Sequence, residues 1–245
     1  MLLNLIKFAF FGCVFILFSC GTTQKEQDSS ANNLCKYSQL LEIHPSTQGY
    51  DIRIHNPEQP KQPFNLSVNN SYERIALLSA THVGMMAAID QQAAICAIPD
   101  AQFLYDASLR SAVRKGNVAD LKSAASISVE QLLAKKTQVL VYSGFGNEQS
   151  QIERLNRIGM QCIPNFEWRE TNPLARAEWV LLFGVLTGQI EKAQQYFKRV
   201  AANYQRIKEQ EKLANQNPLL ISGYIYGDQW VAPAGQSFEA TFYKD

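Results

Sequence analysis

The chain has 245 residues, with 23 Lys and Arg against 22 Asp and Glu, a formal charge of +1, and 46% hydrophobic residues. That balance supplies no basic field, and no Lys/Arg cluster interleaves with aromatics, so nucleic-acid binding is excluded. The length suffices for one sizeable core and the start of another.

In chain order, residues 1–19 carry one early charge, Lys7, and then an apolar run from Phe8 to Phe18, the layout of an export signal. The run is shorter than the roughly 18–20 residues of a spanning helix. It ends in Leu17-Phe18-Ser19-Cys20-Gly21, which resembles a bacterial lipobox. The resemblance implies that Cys20 is acylated, that the mature chain starts there, and that a lipid anchors the exported protein to the cell envelope. Residues 20–33, rich in Thr, Gln, Ser and Asn, read as a flexible tether. Beyond Cys13 in the signal and Cys20, three cysteines remain: Cys35, Cys96 and Cys162. An odd number cannot all pair, and Cys96 and Cys162 fall in apolar runs that suit small core residues.

Residues 34–72 alternate polar and apolar through Tyr50-Asp51-Ile52-Arg53-Ile54-His55 and are punctuated by Pro57, Pro60 and Pro63, which predicts a small β extension. From Glu73 a strand–turn–helix unit repeats. Strands are expected at Arg74–Leu78, Ala93–Ile98, Gln138–Tyr142 and Met160–Pro164. Helices are expected at Val83–Ile89, at Val129–Lys135 behind the capping pair Ser128 and Gln131, and at Glu148–Ile158, closed by Gly159. Asp100–Lys115 is an aromatic-rich excursion. Residues 73–188 therefore predict an α/β lobe whose parallel sheet is covered by helices on both faces, with ligands beyond the carboxyl ends of its strands.

Asn172-Pro173 opens a further helix that runs to about Thr187. Residues 189–214 are the longest periodic stretch, with Ile190, Ala193, Phe197, Val200, Ala201, Tyr204 and Ile207 on one face. About 26 helical residues span on the order of 39 Å, enough to join two lobes as a backbone helix. After Asn217-Pro218, a strand at Leu219–Ile225 and a helix at Gln236–Tyr243 read residues 215–245 as the truncated start of a second α/β lobe.

This order of elements is similar to that of the substrate-binding proteins of iron-siderophore, haem and cobalamin importers, the helical-backbone class. The segments that carry the likeness are Arg74-Ile75-Ala76-Leu77-Leu78-Ser79-Ala80-Thr81-His82, Gly116-Asn117-Val118, and Ser128-Val129-Glu130-Gln131-Leu132-Leu133. Most specific is Glu167-Trp168-Arg169-Glu170-Thr171-Asn172-Pro173-Leu174-Ala175-Arg176-Ala177-Glu178-Trp179, in which some members have Gly in place of Ala175. Trp230-Val231-Ala232-Pro233-Ala234-Gly235 resembles the first loop of the family's second lobe. The resemblance implies a monomeric two-lobed clamp, partnered by an ABC permease and its ATPase, that holds a metal chelate in the groove between lobes and needs no cofactor.

Strand-end loops then place Ser79, Thr81 and His82, Phe103 and Tyr105, Ser143, Gly144 and Phe145, and Trp168 and Glu170 at the groove, with Tyr226 and Trp230 expected from the second lobe. Aromatics would stack on a flat chelate while hydroxyls and amides orient it; Phe103 and Phe145 are equally read as core. Arg176, in the first turn of its helix, holds an acidic ligand group or pairs with Glu170 or Glu178. Glu148 is the candidate outer-surface carboxylate for docking on the permease. With only His44, His55 and His82 available, bare zinc or manganese capture is not expected. The competing readings are a surface lipoprotein that holds haem or cobalamin without an importer, and an α/β enzyme. The second is weak, because no nucleophile elbow, Walker loop or GxGxxG occurs.

Overall fold

A computed structural model describes residues 32–122, 127–146, 148–213 and 219–245. The export signal, Cys20 and the tether up to residue 31 lie outside the described residues, as does Ala214 at the end of the expected backbone helix.

The extension is a three-stranded antiparallel sheet of β1 (Leu41–Pro45), β2 (Tyr50–Ile54) and β3 (Phe64–Val68), in that order. Period-two alternation drives it: Leu41, Ile43, Ile52 and Ile54 are buried on one face. On the other face the Glu42 carboxylate contacts His55 Nε2 at 2.6 Å and His44 Nε2 at 3.1 Å.

The main sheet has five parallel strands in the order β6-β5-β4-β7-β8: β4 (Ile75–Leu77), β5 (Ile95–Ile98), β6 (Ala119–Asp120), β7 (Val139–Tyr142) and β8 (Gln161–Pro164). Between them run α1 (Ala80–Ala88), α2 (Ala107–Arg114), α3 (Val129–Ala134) and α4 (Gln149–Arg157). Side chains alternate across this sheet into two cores. Ile75, Leu77, Val139 and Val141 join Trp179 and Phe183 on one side, while Ala76, Leu140 and Cys162 meet Leu132, Ile152 and Leu155 on the other. This is the α/β lobe with both faces covered that the pattern predicts. The edge strand β6 is new; its two residues are too few for a periodic signal.

The helix expected from Asn172 to Thr187 is two helices, α5 (Pro173–Glu178) and α6 (Val180–Leu186). At Trp179 between them the ladder tightens to an i+3 bond, Leu182 N–H to the Trp179 carbonyl at 3.1 Å. The long helix α7 (Ile190–Leu213) packs its first half on the lobe through buried Ala193 and Phe197. A Cβ on Gly184 of α6 would come within 2.5 Å of Ala193 Cβ, so the α6–α7 approach depends on that glycine. Farther along α7, Tyr204 Oη and Lys208 Nζ each bond the Asp245 carboxylate at 2.7 Å.

Residues 219–245 form a hairpin, β9 (Tyr224–Tyr226) with β10 (Gln229–Val231), and α8 (Phe238–Lys244) capped by Ser237. The expected strand from Leu219 starts five residues later, because Leu219, Leu220 and Ile221 stand exposed and unpaired among the described residues.

Candidate functional site

The chain fills the sheet outward from β4 to β5 and β6, then crosses back to lay β7 and β8 on the other side of β4. The connection leaving β4 runs to α1 on one face and that leaving β7 to α4 on the other, the kind of switch point beyond which ligands bind in open α/β sheets. Ser79 caps α1 there, accepting the Thr81 N–H at 3.2 Å, and leaves Thr81 exposed.

Beyond β7, Ser143 is buried and offers its carbonyl, not its hydroxyl, to Trp168 Nε1 at 2.7 Å. Gly144 sits at φ +65° directly over the Phe166 ring, where any Cβ would collide; only glycine closes the loop so tightly. That turn lifts Phe145, 60% exposed, onto the half-buried Trp168, with ring centroids 4.7 Å apart and planes at 36°. The two rings make an open aromatic platform beyond the carboxyl ends of β7 and β8. The Arg169 guanidinium lies 5.1 Å from the Trp168 ring centroid and 3.5 Å from Glu58 of the β2–β3 loop. Phe103 and Tyr105, after β5, are 62% and 95% exposed, so neither is a core residue.

No family model matches the chain. It is 14% identical to a periplasmic binding protein from Veillonella parvula DSM 2008, with a TM-score of 0.60 over 79% of this chain and 63% of that one. The fold is that of the periplasmic binding proteins. A siderophore-binding protein, BauB, solved with two acinetobactin molecules and ferric iron, aligns at a TM-score of 0.57 with 15% identity over 77% of this chain and 63% of its own. An ABC transporter substrate-binding protein from Listeria monocytogenes EGD-e gives 0.52 and 12% over 71% and 62%. An uncharacterized lipoprotein from Methanocaldococcus jannaschii is 23% identical over 182 residues, 71% of this chain and 43% of that protein. The chain thus spans under half of that relative and just under two thirds of these solved binding proteins.

Within this fold several expected site residues are buried instead. His82 is wholly buried with its ring 5.8 Å from Phe183, and burial lowers its pKa to about 3. It is a core residue on the buried face of α1, not a groove donor. Glu170 is 3% exposed and is taken up by the extension and the core: its carboxylate accepts the Ser38 hydroxyl and Trp179 Nε1, the latter at 3.1 Å. Glu148, expected on the outer surface, is 2% exposed because it folds back to accept the Phe145 N–H at 3.1 Å.

Arg176 pairs with neither Glu170 nor Glu178. Its Nε bonds Glu167 Oε2 at 2.7 Å, and its guanidinium lies 4.8 Å from the Phe238 ring centroid of α8. Burial raises the Glu167 carboxyl above its usual range, and Arg176 opposes that rise. Glu178 is unavailable because it accepts the backbone N–H groups of Lys36, Tyr37 and Ser38 at 2.7, 2.8 and 2.8 Å.

Cys35, Cys96 and Cys162 are buried free thiols, Cys162 pushed up to about 12 by burial. Tyr226 and Trp230 stand exposed on the β9–β10 hairpin at 75% and 56%. The structure thus brings Ser143, Gly144, Phe145 and Trp168 into one contact cluster, while Ser79 and Thr81 stand at the start of α1, after the neighbouring strand β4. Phe166 and Arg169 complete that cluster, and sequence reasoning passed over both. Phe166 reads as plain core, and the Arg169–Glu58 pairing spans too many residues to show as a pattern.

Proposed function

We propose that the chain belongs to a lipid-anchored, extracytoplasmic solute-binding protein that takes a metal chelate (an iron-siderophore, haem or cobalamin) and delivers it to an ABC permease with its ATPase. The observation that carries this reading is the exposed Phe145–Trp168 platform beside the switch point of a periplasmic-binding-protein fold. Exposed aromatic faces suit a ligand that carries planar rings of its own. The siderophore complex of BauB supports the ligand class, and the likeness to a Methanocaldococcus jannaschii lipoprotein supports the anchor at Cys20.

Titrating intrinsic tryptophan fluorescence with haem, ferric catecholate and hydroxamate siderophores and cobalamin tests the reading. Saturable quenching by one chelate is expected, weakened about tenfold in Trp168→Ala. Absence of saturable quenching by every chelate would overturn it. Export with Cys20→Ala should move the protein from the membrane to the soluble fraction. A chelate-loaded protein that fails to stimulate its co-encoded ATPase would instead favour the surface-holding role.

A further inference from the structure

Three links run from the Glu167–Glu178 segment into the β extension, and one of them passes through the platform. Glu178 holds the Lys36–Ser38 amides and Glu170 holds Ser38 and the Leu40 N–H, the latter at 3.3 Å. Trp168 and Arg169 immediately precede Glu170 in the chain. The indole is fixed at its nitrogen by the Ser143 carbonyl and beside one ring by Phe145. Arg169 adds a guanidinium 5.1 Å from the ring centroid, itself held by Glu58 at 3.5 Å from the loop joining β2 to β3.

Resting on the solute-binding reading, we infer that Arg169 is a positioning residue. Steered by Glu58 of the extension, it orients the Trp168 indole and gives the platform a cationic flank that selects anionic chelates. A guanidinium is planar and weakly hydrated, so it stacks on an indole where a lysine ammonium would stay in water. Glu58 is mostly exposed, so its pairing adds little binding energy in itself. What it contributes is direction: it restricts the guanidinium to the ring instead of the many rotamers open to a surface arginine. The extension thereby acts on the binding site rather than merely covering the lobe.

The test needs a probe that reads Trp168 alone. Trp179 is fully buried and silent to aqueous quenchers, so Trp230→Phe leaves Trp168 as the quenchable indole. In that background, at constant ionic strength, the iodide constant taken relative to that of a free, neutral tryptophan amide should exceed the caesium constant taken the same way, because the guanidinium concentrates anions at the ring. Arg169→Gln should lower the iodide constant about twofold and leave acrylamide quenching and the melting temperature in place, and Arg169→Lys should restore part of it. Loss of the Glu58 carboxylate by itself raises the local positive potential, so a lowered iodide constant in Glu58→Gln reads lost steering of the guanidinium, and a raised one overturns that steering. The same Arg169→Gln protein should bind a ferric tris-catecholate two- to five-fold more weakly, with a cationic ferric trihydroxamate unaffected. Unchanged iodide quenching in Arg169→Gln overturns the inference. If the parent protein binds no chelate at all, the transport reading falls, and the iodide comparison still decides the role of Arg169.

Discussion

Glu178 shows how one side chain ties distant parts of the chain together. A fully buried carboxylate is expensive, and burial raises its pKa, yet three backbone N–H groups of Lys36, Tyr37 and Ser38 converge on it and oppose that rise. Glu178→Ala would strand those donors, so a loss of about 3 kcal/mol in unfolding free energy is expected by chemical denaturation, with the extension the first part to gain protease sensitivity. His82 makes the opposite case. Its folded pKa of about 3 lies below the ordinary value near 6.5, so the unfolded chain binds the extra proton and stability falls as pH drops through that window. Between pH 7.5 and pH 5 the loss traceable to this ring is about 2 kcal/mol, and it ends near pH 3. His82→Gln should flatten the denaturation free energy over pH 7.5–5 by that amount; an unchanged slope would mean the ring is reached by water.

At the scale of elements, α6 and α7 set the geometry of the long helix, and Gly184 sets how near they come. Ala193 Cβ, Ile190 Cα and the Gln189 carbonyl all lie within 3.2 Å of where a Gly184 Cβ would stand. Backbone cannot yield as a flexible side chain does, so Gly184→Ala should cost about 1–3 kcal/mol, read as a lowered melting temperature, and Gly184→Val more. Most elements of the lobe were legible because their signals are local: period-two strands, Ser128, Gly159, and the Asn172-Pro173 start. The site was legible in outline, since strand-end loops after β4, β5 and β7 follow from the βα alternation. Its details were not. Whether Glu148 faces solvent or the Phe145 amide, and whether Glu167, Glu170 or Glu178 takes Arg176, depends on contacts as distant in sequence as Ser38 to Glu170. Nor does periodicity reveal the break at Trp179, which puts the indole N–H on Glu170.

Across the whole molecule, order is graded from the sheet to the hairpin. Every residue of β4 and β5 is buried, whereas all three residues of β9 and two of the three in β10 are exposed. Local opening free energy follows buried contact, so hydrogen exchange should be slowest at Ile75–Leu77 and Val139–Val141 and fastest along Tyr224–Val231. The two walls that the binding reading assigns to a ligand thus differ in stiffness: the Phe145–Trp168 platform rests on the rigid sheet, and Tyr226 and Trp230 ride on the soft hairpin. A ligand gripped by both must order the softer wall and spend part of its contact energy doing so. Exchange measured with and without a saturating chelate separates the cases. Slowing at Ser143–Phe145 and Glu167–Arg169 together with Tyr224–Val231 is the expected outcome, with the larger gain at the hairpin because it starts less protected. Slowing confined to the platform would remove Tyr226 and Trp230 from the site and leave a one-sided surface held by stacking alone.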